Sequence, residues 1–288
     1  MIDHAFLKQG IAHSPHQPAT CLFRAVELGH LTSERLLPTH GRMLDLGCGD
    51  GWILSMLKER LDASWKTTGI DPDDREVELA AHAGCYSDLK VTTGDRLPFE
   101  AACFDIVFSN SVLEHIPKVE PVLAEVSRVM APNGAFVFTV PSSQFTRMLR
   151  FPSLLGRFVS GCRVREDYVA YMDRRLAHFY YWDLQKWATE LAAVGLKVER
   201  HYFYLAAKEL QRWETLSHLT AGMAGRLCSS NKHPIELQHQ LGIRKGESSP
   251  HINLLGRALG ALGRIGLRKD IPISPNTGSC LAVIARKI

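Results

Sequence analysis

The chain has 288 residues, 45% hydrophobic and 22% charged, a balance that suits a soluble globular protein with a sizeable core. No apolar run reaches the roughly 18–20 residues that a membrane span needs, and no long low-complexity tract interrupts the pattern. The formal net charge of +4 is uneven: residues 142–180 hold seven Arg against three acids, residues 205–278 ten Lys or Arg against five, and the remainder sums to −5.

Thr20 to Leu37 reads as a helix, with Leu22, Val26 and Leu36 as its apolar positions and Pro38 as its stop. Short apolar runs then alternate with helical patterns. Strands are predicted at Arg42–Leu46, Lys66–Ile70, Leu89–Thr92, Phe104–Ser109 and Ala135–Val140. Helices are predicted between them at Trp52–Leu61, Asp74–Ala83 and Val119–Met130, the last with Val122, Val126 and Val129 on one face. Such alternation predicts a parallel sheet with helices on both faces.

Ser142 to Tyr180 is rich in Arg and aromatic residues and has no clear period. Asp183–Val194 returns to helical spacing with Leu184, Trp187, Leu191 and Val194, and Gly195 ends it. Leu196–Tyr204 alternates as a strand, and Cys280–Ala285 is a last apolar strand. Between these two lies a second irregular region, 205–278, expected to be partly helical. Within it Leu254–Lys269 could place Arg257, Arg264 and Arg268 opposite Leu255, Leu259 and Leu262. The expected organisation is one domain over 1–288. It has an N-terminal helical segment at 1–40, and insertions at 142–180 and 205–278 that cap the acceptor side.

The opening residues carry Asp3 and Lys8 around a short apolar stretch, unlike a secretory signal, so a cytosolic location is expected. The seven cysteines are scattered, without a Cys-x-x-Cys pair or zinc-ligand spacing, so free thiols and no metal are expected.

The sharpest motif is Leu44-Asp45-Leu46-Gly47-Cys48-Gly49-Asp50-Gly51, directly after the first strand. A strand that turns at once into a helix crowds the backbone; glycines permit the angles and let a ligand approach the main chain. By itself such a turn also suits a dinucleotide. Here, however, the third glycine comes one residue early and Trp52 stands where the dinucleotide motif wants glycine. Ile70-Asp71-Pro72 closes the second strand and Gly94-Asp95-Arg96-Leu97-Pro98-Phe99 the third. Phe104-Asp105-Ile106-Val107-Phe108-Ser109-Asn110-Ser111-Val112-Leu113-Glu114-His115-Ile116 carries the fourth. Ligand-facing residues therefore fall at the ends of four successive strands, the edge where open α/β sheets bind ligands.

On these motifs the chain resembles the class I, Rossmann-like methyltransferases that use S-adenosyl-L-methionine, in the branch acting largely on small molecules. The resemblance runs from Arg42 to Val140, more weakly to Tyr204 and the last strand. It implies a doubly wound, mostly parallel seven-stranded sheet with helical insertions. It also implies that Asp45, Gly47, Cys48 and Gly49 cradle the methionine end of the cofactor, and that Asp71 with Pro72 holds the ribose. Asp95 would accept from the adenine amino group with Arg96 and Leu97 beside the ring, and Ser109 and Asn110 would line the methyl-transfer site. Turn capping is the competing role for Asp71 and Asp95.

An oxygen acceptor needs a proton removed, and two of the 13 histidines, His115 and His178, are candidates for that work. The alternative for each is a structural role. Tyr180, Tyr181 and Trp182 could wall an acceptor pocket or pack under the late helix.

The resemblance also separates subclasses. Base-amino methylating enzymes carry Asn-Pro-Pro-Tyr-like residues where this chain has Ser109-Asn110-Ser111-Val112. Metal-dependent catechol-type enzymes place acidic ligands there, and protein-arginine enzymes need two glutamates where only Glu114 stands. The expected function is methylation of a small or amphiphilic acceptor, at oxygen. N- or C-methylation of a natural product or polyprenyl quinone is the alternative; an RNA methyltransferase, a nicotinamide oxidoreductase and a non-enzymatic cofactor-binding subunit stand further off. The basic insertions suggest an anionic, lipid or glycan acceptor and peripheral contact with the inner membrane face; no DNA partner is expected.

Overall fold

The computed structural model describes residues 4–14, 17–150, 164–219, 274 and 277–288. They form two compact units. The first comprises Met1–His30, Ser143–Phe179 and Tyr204–Ser279; the second comprises Leu31–Ser142, Tyr180–Phe203 and Cys280–Ile288.

The second unit is built on a seven-stranded sheet. In chain order its elements are β1 (His40–Leu46), α3 (Trp52–Arg60), β2 (Ser64–Asp71), α4 (Asp74–Ala81), β3 (Asp88–Val91) and β4 (Phe104–Asn110). A 3₁₀ turn (Leu113–His115), α5 (Glu120–Val129), β5 (Met130–Pro141), α8 (Leu184–Ala193), β6 (Leu196–Ala206) and β7 (Gly278–Lys287) follow. The strand order is β3-β2-β1-β4-β5-β7-β6. β1, β2, β3, β4 and β5 pair in parallel, and β7 runs antiparallel to β5, from Ala135 opposite Arg286 to Pro141 opposite Cys280. The order reverses between β1 and β4, which makes the carboxyl ends of those two strands the switch point of the sheet.

Sequence explains the elements locally. Ile106, Val107 and Phe108 on β4 and Phe136, Val137 and Phe138 on β5 are buried without alternation, as strands covered on both faces require. α5 buries Val122, Leu123, Val126 and Val129, the stripe its periodicity predicts. Asp73 caps α4 by accepting from the Arg75 amide at 3.0 Å, and Asp183 caps α8 by accepting from the Lys186 amide at 2.8 Å. Gly195 ends α8 at φ +77°, an angle that favours glycine. Under α8, Trp187 meets Phe138 and Trp182 with ring centroids 5.0 and 4.8 Å apart.

The first unit holds α1 (His4–His13), most of α2 (Pro18–Ser33), α6 (Phe145–Met148), α7 (Val164–Leu176) and α9 (Ala207–Ser217). Trp213 on α9 meets Phe145 at 5.8 Å and Phe23 at 6.1 Å, both edge-on. Glu27 and Glu214 are fully buried. Tyr204 donates to Glu27 at 2.6 Å, and Tyr168 donates to Glu214 at the same distance.

α2 ends at Ser33, earlier than the expected Leu37, because the chain reverses through Arg35 at φ +47° before Pro38 is reached. β5 begins at Met130, earlier than expected, and its pairing with β4 is irregular between Phe104 and Ile106. The aperiodic stretch 142–180 contains α6 and α7, and 205–278 opens with α9. The expected amphipathic segment Leu254–Lys269 lies outside the described residues.

Candidate cofactor site

The glycine turn joins β1 to α3 at the switch point. Gly47, Gly49 and Gly51 lie at φ +78°, +52° and +76°, all in the left-handed region. The amides of Gly47 and Cys48 both donate to the Ile70 carbonyl at 2.9 Å, which ties the turn to the end of β2. Space matters as much as angle. A Cβ on Gly47 would stand 2.4 Å from Val112 Cγ2, and one on Gly51 would stand 2.7 Å from Tyr86 Cε2.

Besides Asp50 within the turn itself, the acids Asp45, Asp71 and Glu76 gather here. Asp71, at the tip of β2, accepts from the Gly49 amide through Oδ2 and from the Asp73 amide through Oδ1, each at 3.0 Å. A carboxylate has about four acceptor sites, so roughly two remain for a ligand's hydroxyls. Burial raises the Asp71 carboxyl above the ordinary range, while those two amides oppose the shift. Glu76, in the first turn of α4, is buried, and its Oε2 lies 3.7 Å from the place a Gly49 Cβ would take. Asp45 on β1 is buried and accepts from the Tyr86 hydroxyl at 2.6 Å. Burial pushes Asp45 up to about 7; the Tyr86 hydrogen bond pulls down, and the charge on Asp71 adds to the rise. The Cys48 thiol, in the turn itself, is pushed far up by burial and by Asp45 and Asp71.

At the neighbouring strand ends, Pro72, Asp95 and Arg96 are exposed and Leu97 is buried. The segment after β3 is held by α5: Glu125 accepts from the Leu97 amide at 2.8 Å, and Arg128 donates to the carbonyls of Leu97 and Phe99 at 3.0 and 2.7 Å. Arg128 also pairs with Glu125 at 2.6 Å. Ser109 is fully buried and donates to the Leu46 carbonyl at 3.1 Å, joining β4 to β1 beside the turn. Asn110 donates through Nδ2 to Thr139 Oγ1 at 2.7 Å, and that hydroxyl also accepts from the Ser111 amide at 3.0 Å. The other end of the amide, Asn110 Oδ1, is buried with no hydrogen-bond partner among the described residues.

His115 closes the 3₁₀ turn beyond β4, and its amide donates to the Val112 carbonyl at 2.9 Å. Tyr180 holds that turn, its hydroxyl donating to the carbonyls of Leu113 and Ile116 at 2.5 and 3.2 Å while its ring stacks on Trp182 at 4.5 Å. Tyr180 and Trp182 thus pack against the core of the sheet unit. His178 belongs to the other compact unit, where its ring meets Phe145 edge-on at 5.8 Å. Tyr86, Glu76 and the Glu125–Arg128 pair are the residues that sequence reasoning missed. The i,i+3 spacing of the pair was visible in α5, but nothing local marked its target.

Residues 44–138 match the family described as a methyltransferase domain. These residues form a class I, Rossmann-like methyltransferase domain. The cofactor of this family is S-adenosylmethionine. The ubiquinone biosynthesis O-methyltransferase of Methylocella silvestris is 34% identical over 124 residues, which are 42% of this chain and 47% of that protein. The sterol 4-C-methyltransferase strm-1 of Caenorhabditis elegans is 30% identical over 114 residues, 38% of this chain and 33% of that protein. The chain therefore spans a third to a half of these relatives. An S-adenosylmethionine-dependent methyltransferase from Thermotoga maritima shares the fold with a TM-score of 0.52 at 16% identity, covering 94% of this chain and 91% of that one.

The site fits the cofactor on its own geometry. The methyltransferase domain offers an angle-restricted cradle, a carboxylate preset by two amides, and a buried carbonyl oxygen that has no donor among the described residues.

Proposed function

We propose that this chain binds S-adenosylmethionine and methylates a small or amphiphilic acceptor, at oxygen. The observation that carries the reading is the gathering of Asp45, Asp71 and Glu76 at the glycine turn. Like charges at close range inside a protein cost on the order of kcal/mol, so a pyrophosphate is disfavoured here. A cationic ligand, with its sulfonium and its ammonium, is favoured.

When bound, S-adenosylmethionine supplies a methyl group already activated on sulfur. The chain's own residues then mostly bind and align. Asp45, Gly47, Cys48 and Gly49 take the methionine end, Asp71 with Pro72 the ribose, and Asp95 with Arg96 and Leu97 the adenine. Ser109 stiffens the β1–β4 edge, and Asn110 presents a carbonyl oxygen that has no donor among the described residues. His115 takes the proton of an acceptor hydroxyl. His178, on the other unit, is the second candidate for that role. Among the relatives, the names of the ubiquinone and sterol enzymes favour an amphiphilic acceptor, and the former favours oxygen. The basic segments 142–180 and 205–278 favour one that carries negative charge or lies at the inner membrane face.

Calorimetry tests this reading. Binding at micromolar levels, about −8 kcal/mol, is expected for S-adenosylmethionine or its demethylated product. Asp71→Ala should weaken it by about 1–3 kcal/mol, the cost of leaving ligand hydroxyls unpaired. Tight binding of NADH with none of S-adenosylmethionine would overturn it.

A further inference from the structure

Tyr86 follows α4 and is far from Asp45 in sequence, yet its place beneath the glycine turn is built with care. Its ring fills a slot bounded by two glycines. A Cβ on Gly51 would stand 2.7 Å from Cε2, and one on Gly69 would stand 2.8 Å from Cε1 and from Leu89 Cδ2. Gly69 sits inside β2, where a glycine weakens the strand unless something must approach closely; what approaches is this ring. The slot delivers the phenol to one place, 2.6 Å from Asp45 Oδ2.

Asp45 needs that donor. The titratable groups around it are Asp71 on β2, Glu76 on α4, Cys48 in the turn and Cys85 beside Tyr86. Two are acids, and the two thiols are held neutral by burial, Cys85 raised to about 11. Lys58 on α3 lies near Cys85 and donates to the carbonyls of Trp65 and Cys85 at 3.5 Å. On the other side Asp45 is paired with Phe108 of β4, which brings no charge.

We propose that Tyr86 is a positioning residue for the cofactor: its hydroxyl holds Asp45 ionised and fixed, so that the carboxylate can pair with the ammonium of the methionine end. This rests on the methyltransferase reading above. Asp45 titrates at about 7 with the hydrogen bond in place, and the bond lowers it. Loss of the hydroxyl therefore moves the titration upward. The ionised form is the binding form, so affinity falls as pH drops through the titration, and in Tyr86→Phe that fall begins at higher pH.

The experiment is calorimetric titration of the full chain with S-adenosylhomocysteine, which keeps the same amino-acid end, from pH 6 to pH 9. If the hydroxyl is worth about one pH unit, tenfold in the equilibrium, Tyr86→Phe binds about tenfold more weakly than wild type at pH 6 and within about twofold at pH 9. Asp45→Asn should bind weakly with no fall across pH 6 to 8, and adding Tyr86→Phe to it should change the affinity less than about twofold. Equal weakening by Tyr86→Phe at every pH, or none, overturns the role of Tyr86 and leaves the methyltransferase reading intact. A pH-dependent Asp45→Asn does the same. A wild-type chain that binds no S-adenosylhomocysteine at any pH overturns the methyltransferase reading and this inference with it.

Discussion

His115 stands on a turn of three residues held by the Tyr180 hydroxyl, which donates to the carbonyls of Leu113, the first residue of the turn, and Ile116, the residue just after it. A side chain on so short and so tightly held a segment has little freedom, which suits a group that must meet a proton in one geometry. If it is the proton acceptor, His115→Ala lowers turnover by about 10²–10⁴-fold and leaves cofactor affinity nearly unchanged. Steady-state rates together with binding calorimetry check both halves. Normal turnover would assign His115 to the framework and turn attention to His178. Asp71 contrasts with it: the carboxylate is already oriented by two amides, so its removal is expected in affinity rather than in rate.

At the scale of elements, the turn between β1 and α3 depends on what lies behind it. Gly51 faces Tyr86, Ala83 Cβ at 3.0 Å and the Ala80 backbone at 3.3 Å. Alanine there meets both a left-handed angle, worth about 1–2 kcal/mol, and the Tyr86 ring. Gly51→Ala is therefore expected to destabilise the fold by more than the angle alone and to weaken cofactor binding by displacing Tyr86 from Asp45. Denaturant unfolding beside calorimetry tests this; an unchanged midpoint would mean that the slot is looser than its distances imply. The strand ends are secured in different ways. β1 is tied to β2 through the Ile70 carbonyl and to β4 through Ser109, while the segment after β3 hangs on Glu125 and Arg128.

Over the whole molecule the charge is divided. The segments 142–180 and 205–278 carry +9 and the rest −5. Among the described residues no helix is long and apolar enough to cross a membrane. If the basic segments serve an amphiphilic acceptor at a lipid surface, the chain co-sediments with liposomes containing anionic lipid. The bound fraction then falls as salt rises, because exposed charges are screened over about 10 Å at 0.1 M. Absence of sedimentation at low salt would leave a soluble anionic acceptor to account for the basic segments.

The strands and helices from Arg42 to Val140 were legible because their signals are local: an apolar run, a 3.6-residue stripe on α5, glycines where a strand must become a helix. The identity of the turn was legible for the same reason, since Gly47, Gly49 and Gly51 answer a need set by the backbone at those positions. The pairing of Tyr86 with Asp45, of Glu125 with the Leu97 amide and of Ser109 with the Leu46 carbonyl was not, because each joins residues distant in the chain and exists only once the sheet is ordered. α7 and α9 were hidden for another reason. Their faces carry Arg, Glu and aromatic residues in place of a clean apolar stripe, and Tyr168 on the first and Glu214 on the second bond to each other once packed. The sequence by itself determined the sheet, the glycine turn and the acids at the strand ends, through period and steric need. Tertiary structure alone decided which of those acids is buried, what donates to it and so at what pH it carries charge, because desolvation and hydrogen bonding depend on neighbours that the linear order does not place side by side.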